Sequence, residues 1–368
     1  MLKHQIALSL INGIGPKLAR NLITYLGSVE AVFLADSQFE KIPGIGSVMA
    51  HKLKTLDKGS LLARAEQEID FIQKHHLQTS FFTEDNYPRR LSFCEDAPLL
   101  LFAKGQVDFE LPKIISIVGT RRPTADGLNI CEKLIADIAQ RHPGTLIVSG
   151  LAYGIDICAH RAALKNNLPT MAVLAHGLDR IYPGTHSQTA REITNHGALL
   201  TEFMTGTNPD KPNFVKRNRI VAGICDTVVV VESAHKGGAL ITAGIAASYN
   251  RDVLAFPGRV NDTASGGCNK LIKTNIAALI ESIEDLEYAL GWESQTNNEQ
   301  STQGALFKAP DSPEEKTILD LLVIEKEMNL NLLSMACGIP IPKLSATLLD
   351  MEFKGLIKSR PGGIFRLL

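Results

Sequence analysis

Four cations and one aromatic fall within nine residues: Lys211, Phe214, Lys216, Arg217 and Arg219. The formal net charge of the whole 368-residue chain is only −1, so this run is a local concentration of positive charge. An aromatic face can stack on an unpaired base while neighbouring cations neutralise phosphates. On a helix, Phe214, Arg217 and Asn218 share one face, being three and four apart. The same spacing also suits an amphipathic helix with Phe214 in the core and a solvated charged face, and the run alone leaves both readings open.

Four glycine-bearing turns could serve such a segment. Gly119-Thr120-Arg121-Arg122-Pro123-Thr124 follows an apolar β-rich run and precedes a helical stretch. It is neither a Gly-x-Gly-x-x-Gly fingerprint nor a Walker loop. It sets arginine, suited to bidentate phosphate contact, beside backbone amides at a helix start. A capped turn with solvated arginines is the plainer alternative. Ser149-Gly150-Leu151-Ala152-Tyr153-Gly154-Ile155-Asp156 follows a second apolar run, with His160 four residues past Asp156. Serine, aspartate and histidine invite a hydrolase reading, but the Gly-x-Ser-x-Gly elbow is missing. The glycines fit better as places of close backbone approach. Lys236-Gly237-Gly238 opens another helix whose N-terminus suits an anion, and Ser265-Gly266-Gly267-Cys268-Asn269 repeats that pattern later.

The elements around these turns imply three regions. Residues 1–105 are helical and hold two related turns, Asn12-Gly13-Ile14-Gly15-Pro16 and Pro43-Gly44-Ile45-Gly46. They form an all-α helix-hairpin-helix (SAM-like) unit. The paired turns suit either phosphate contact or packing against each other. Residues 106–292 alternate apolar strands with helices. Runs at 113–118, 146–148, 170–174, 198–200, 227–231 and 253–256 each end in glycine, proline or polar residues. The expected fold class is α/β, a Rossmann-like doubly wound parallel sheet, whose ligands sit beyond the carboxyl ends of its strands. Residues 293–312 are polar and aperiodic, a flexible linker. Residues 313–368 pattern as a winged-helix-like unit, with helices at 330–336 and 343–353 and a strand pair turning at Pro361-Gly362-Gly363. Such units read DNA in some proteins and pack on partners in others.

An apolar content of 45% and a charged content of 21% suit a globular protein. Near-neutrality argues against non-specific coating of nucleic acid. The six scattered cysteines contain no Cys-x-x-Cys pair, which suits reduced thiols and offers no metal framework. No apolar run reaches the ~18 residues of a membrane span, and the start, Met-Leu-Lys-His-Gln, lacks a secretory signal. The expected compartment is the cytoplasm. No catalytic residue, metal or cofactor is expected.

The order and spacing of Ile117-Val118-Gly119-Thr120-Arg121, Ser149 to Asp156, Ala159-His160, Gly177-Leu178-Asp179, Tyr182-Pro183, Glu202, Phe214, Arg217-Asn218-Arg219-Ile220 and Pro257-Gly258 resemble the DprA/Smf family. The flanking regions fit that family's three-part layout. The resemblance implies a homodimeric single-stranded DNA binder of natural transformation. It would protect incoming strands and help load the recombinase RecA, and it would catalyse no reaction. It puts a phosphate on Arg121, a base on Phe214, Lys211, Arg217 and Arg219 in the same groove, and Asn269 nearby. With the glycine turns, the candidate DNA-binding set is Gly119, Thr120, Arg121, Gly150, Lys211, Phe214, Arg217, Asn218, Arg219, Lys236, Gly237, Gly238 and Asn269. The sequence departs from the family at Lys236-Gly237-Gly238, where Ser-Gly is expected, at Cys225, where serine is usual, and at Asn275-Ile276, where Gly-Ala is usual. The middle region is also similar to the cytokinin-activating phosphoribohydrolases, although their Pro-Gly-Gly-x-Gly-Thr-x-x-Glu loop is missing. A nucleotide hydrolase, or a structural adaptor with an inactive nucleotide fold, is therefore the alternative.

Overall fold

The structure, a computed structural model, describes residues 1–34, 39–106, 108–292, 312–360 and 362–367. At its centre are five-residue or shorter runs of Ile, Val and Leu whose alternate side chains feed opposite cores. In β3 (Ile114–Val118), Ile114 and Val118 pack on one face of the sheet, and Ile115 and Ile117 on the other. β7 (Thr227–Val230) does the same, with Val228 and Val230 opposite Val229. Apolar side chains on both faces are what a parallel sheet covered by helices requires.

The remaining strands of this sheet are β1 (Gln78–Phe81), β2 (Leu100–Gly105), β4 (Leu146–Ser149), β5 (Thr170–Val173), β6 (Gly197–Thr201), β8 (Asp252–Ala255) and β9 (Ala278–Leu279). Their spatial order is β1-β2-β6-β5-β4-β3-β7-β8-β9. From β6 to β9 every neighbouring pair is parallel, and β2 joins β6 antiparallel, as β1 joins β2. The chain starts at β3, winds outward through β4, β5 and β6, then returns to β3's other side at β7. The switch point of this doubly wound sheet therefore lies between β3 and β7, where such folds place their ligands.

One boundary differs from the sequence reading. The sheet begins at Gln78, not at 106, because residues 78–105 supply its two antiparallel strands. Phe81, Leu101 and Phe102 are buried in the same core as Ile6, Leu22 and Leu53 of the helical unit. The helical unit thus ends with the Lys58–His75 helix and shares its core with one face of the sheet.

Within the helical unit the two glycine turns engage each other. Gly13 and Gly44 take φ values of 92° and 82°, in the left-handed region. Each turn then receives a side chain from the helix that follows the other. Lys52 donates to the Asn12 carbonyl at 2.5 Å, and Asn21 donates to the Pro43 carbonyl at 2.7 Å.

The C-terminal unit has its own core of Ile318, Leu322, Leu333, Leu344, Leu348, Met351 and Ile357. Helices Leu330–Cys337 and Ile341–Phe353 are joined through Gly338, which has a φ of 67°. A three-stranded sheet, β10 (Glu327–Asn329), β12 (Ile364–Leu367) and β11 (Ile357–Arg360) in that order, completes a winged helix. Its first helix is capped by Ser312, so of the expected linker only Ser312 lies within the described residues. Polar bonds hold the unit to the sheet domain. Arg89 donates to the carbonyls of Glu325 and Glu327 at 3.1 and 2.6 Å, and the Gly362 amide donates to the Asn250 carbonyl at 2.7 Å. Among the described residues no single helix is long and apolar enough to cross a membrane, and no group of three or more metal-ligating side chains forms.

Candidate nucleic-acid interface

Beyond the carboxyl ends of β3, β4 and β7 lies a cavity of about 950 Å³. Its walls come from the glycine turns after β3, β4 and β7 and from the Lys211–Gly223 helix. The arginine turn after β3 is bolted to the end of β7. The Thr120 amide donates to the Glu232 carbonyl at 2.7 Å, and the Glu232 carboxylate accepts from the Thr124 amide at 2.9 Å and its hydroxyl at 2.8 Å. Thr124 in turn caps the Ala125–Arg141 helix, accepting from the Gly127 amide at 3.1 Å. The turn after β4 presses against the same loop. Gly154, with a φ of 80°, lies so close to the Thr120 carbonyl and the Arg121 backbone that no side chain fits between them.

The Lys211–Gly223 helix starts with Pro212 in its first turn, a position where the missing amide costs nothing. Phe214, Arg217, Asn218 and Val221 all line the cavity, as the helical period requires. The Phe214 ring is partly buried. Its centroid lies 6.0 Å from that of Tyr182, edge to face, and the Arg121 guanidinium sits 5.2 Å from it. This is a cation–π arrangement on a ring that still borders open space.

The cations sort into two groups. Arg121, Lys211 and Lys236 line the cavity, are exposed, and pair with no acid among the described residues. Lys216 and Arg219 point elsewhere, both to Glu202, at 3.0 and 2.6 Å. The expectation that Arg219 lines the groove is therefore corrected, because its charge is spent on a nearly buried carboxylate. Arg217 is corrected in part. It borders the cavity but is only 4% exposed, and it donates to the carbonyls of Gly150, at 2.7 Å, and Val173. Burial lowers its pKa to about 10, opposed by the charge of Asp156. Burial raises the Asp156 carboxyl, and Arg217 pulls it back down. Gly150 is glycine because the guanidinium occupies the space a Cβ would need. Arg217 is thus a floor beam of the cavity. Asn269 is also corrected: both ends of its amide bind Gly258, at 3.0 Å each, and it does not line the cavity. It clamps the Pro257-Gly258 turn.

The remaining predicted residues, Gly119, Thr120, Gly150, Asn218, Gly237 and Gly238, all line the cavity. Gly237 caps the Gly238–Ser248 helix, whose N-terminal amides face this space. Tyr182 and His235 line it too, and sequence reasoning gave neither a role. Tyr182 stood in the sequence only as part of Tyr182-Pro183, with a single cation, Arg180, near it. Of the Ser149, Asp156 and His160 constellation, Ser149 and His160 are buried below the floor, and Asp156, only 8% exposed, borders the cavity. Ser149 donates to the Ile117 carbonyl at 2.6 Å, and His160 Nδ1 lies 2.7 Å from the Thr170 hydroxyl. Burial, with the Arg217 and His186 charges adding, lowers the His160 pKa to about 3. The set is packed inside the protein.

Fold and site together define an α/β protein whose Rossmann-like sheet gathers glycine turns, exposed cations and an aromatic at one cleft, flanked by a helical unit and a winged helix. The model of the DNA recombination-mediator protein A family matches residues 78–291, and that of the DprA winged helix domain matches residues 305–363. Protein Smf of Synechocystis is 32% identical over 98% of this chain and 97% of its own length. The DNA processing protein DprA of Streptococcus pneumoniae is 42% identical over 55% of this chain and 71% of its own. The crystal structure of the pneumococcal protein superposes with a TM-score of 0.63 at 30% identity, covering 78% of this chain and 98% of that one. That of DNA processing protein A from Helicobacter pylori, described for its single-stranded DNA binding mode, gives 0.52 at 31% identity over 59% of this chain and 97% of that one. The chain belongs to the DNA recombination-mediator protein A (DprA/Smf) family.

Proposed function

We propose that the cleft binds single-stranded DNA, with phosphates on Arg121, Lys211 and Lys236 and a base against Phe214. The observation that carries this reading is the pairing of an accessible aromatic with unneutralised cations in one cavity. The Phe214 ring lies 5.2 Å from the Arg121 guanidinium, and Lys211 lies three residues before it on the same helix. A duplex hides its base faces, so this pairing suits an unpaired strand. The Gly237–Gly238 helix start adds amides for an anion. The Helicobacter pylori relative, described for binding single-stranded DNA, supports the reading. Family membership carries its wider part: the protein serves natural transformation in the cytoplasm, shields the incoming strand, helps load RecA recombinase and acts as a homodimer. The reading assigns no bond-breaking step.

The test is a titration of the full chain with an oligothymidine and with a matched hairpin stem across a salt series. The expected result is a clear preference for the single strand at every salt concentration. Equal affinity for the two would reject the role of Phe214 and with it the reading.

A further inference from the structure

Phe214 is not the only aromatic at this edge of the sheet. Tyr153 lies just outside the cavity, directly after Ala152 on its wall. It is 47% exposed. Its ring centroid lies 5.0 Å from that of His186, edge to face. His186 is buried, and its Nδ1 lies 2.9 Å from the Leu151 carbonyl. Leu151 itself has a φ of 56°, costly for a residue with a Cβ. Immediately after Tyr153, Gly154 is wedged against the Arg121 backbone. A strained turn, a buried histidine and a close backbone contact thus converge on the turn that carries this exposed ring, one residue before the contact with the Arg121 backbone. A single exposed tyrosine ordinarily needs no explanation, but one braced in this way at the lip of a cationic cavity does.

We propose that Tyr153 is a second base-stacking platform, taking a neighbouring nucleotide on the far side of the phosphate held by Arg121. The inference rests on the single-strand reading above. Arg121 turns its guanidinium toward the Phe214 ring, and its backbone lies against Gly154, the residue that follows Tyr153. The proposed path runs from Phe214 past the Arg121 cation to Tyr153. Successive bases stacked on successive aromatics, with cations between, is the arrangement single-strand grooves use. The Tyr153 hydroxyl is not needed for this, but the ring is.

The experiment measures binding of full-length wild type, Tyr153→Ala, Tyr153→Leu, Tyr153→Phe and Phe214→Ala to two probes. One is an oligothymidine, and the other is an abasic oligomer of the same length and charge. Tyr153→Ala and Tyr153→Leu are expected to weaken oligothymidine binding by about five- to a hundredfold, the range for one stacked base. They should leave abasic binding unchanged, and Tyr153→Phe should match wild type on both probes. Equal loss on both probes would mean that Tyr153 only shapes the Arg121 loop, and no loss on either would remove it from the site. Both results overturn the proposal, as does a Tyr153→Phe as weak as Tyr153→Leu. If wild type binds neither probe, the single-strand reading itself fails. If Phe214→Ala loses oligothymidine affinity while the Tyr153 variants do not, that reading stands and only this inference falls.

Discussion

Lysine-to-alanine changes at two positions on one helix should give different salt responses. Lys211 and Lys216 are five residues apart on the Lys211–Gly223 helix, and both are exposed. Lys211 faces the cavity without an acid partner among the described residues, whereas Lys216 sits 3.0 Å from Glu202. Each lysine or arginine that neutralises a phosphate of a single strand adds ~0.7 to the slope of log K against log salt. Arg121, Lys211 and Lys236 are the unpaired cations on the cavity wall, so the wild-type slope should be about −2. Lys211→Ala should shallow it by about 0.7, as should Arg121→Ala and Lys236→Ala. Lys216→Ala removes the same formal charge from the same helix and should leave the slope where it was. Fluorescence anisotropy with a labelled oligothymidine over a range of salt concentrations reads these slopes directly. Equal flattening by Lys216→Ala and Lys211→Ala would show that total charge, not the sorting of the cations, governs binding, and the reasoning would be refuted.

The buried floor makes its own predictions. Arg217→Leu strands the Asp156 carboxylate and should cost about 3–5 kcal/mol of folding stability, read as a lowered urea midpoint, and an unchanged midpoint would return Arg217 to the groove. His160, held at about 3 against an ordinary 6.5, takes up its proton in the unfolded chain first as pH falls. Stability should therefore decline from about pH 6.5 towards pH 3, with His142 and His176, also lowered by burial, adding in the same direction. A His160→Gln variant should show a shallower decline in urea midpoint over that window, and a parallel decline would refute the assignment.

Much of this was legible in the sequence, for identifiable reasons. Runs such as Ile114–Val118 and Thr227–Val230 are apolar at every position but one or two, so a sheet buried on both faces follows from them. Helical spacing alone put Phe214, Arg217 and Asn218 on one face, and all three border the cavity. Depth was not legible. Spacing cannot say that Arg217 goes inward to the carbonyls of Gly150 and Val173, 67 and 44 residues away in sequence, because those partners exist only once β4 and β5 are in place. Arg219 was misplaced for the same reason, its partner Glu202 lying past the end of β6. Asn269 looked like a ligand in a glycine turn, but it lies in the Gly266–Lys273 helix and its amide binds Gly258, eleven residues earlier, a partner that spacing cannot show. Strands β1 and β2 were missed because they are antiparallel additions whose existence depends on the open side of β6, a tertiary fact.

That last feature bears on how the protein can be divided. β6 (Gly197–Thr201) is buried at all five positions, with Ala198, Leu199 and Leu200 among them, and β2 covers its outer edge. β1, bearing Gln78 and Thr79, then forms the margin in its place. A fragment cut at 106 would keep the whole cleft yet leave β6 with a row of open amides and carbonyls along an apolar strand, which is how sheets stick to one another. The segment between the helical unit and the first parallel strand thus acts as a selvedge for the sheet. Any separable piece of this chain that keeps the cleft has to begin at or before Gln78.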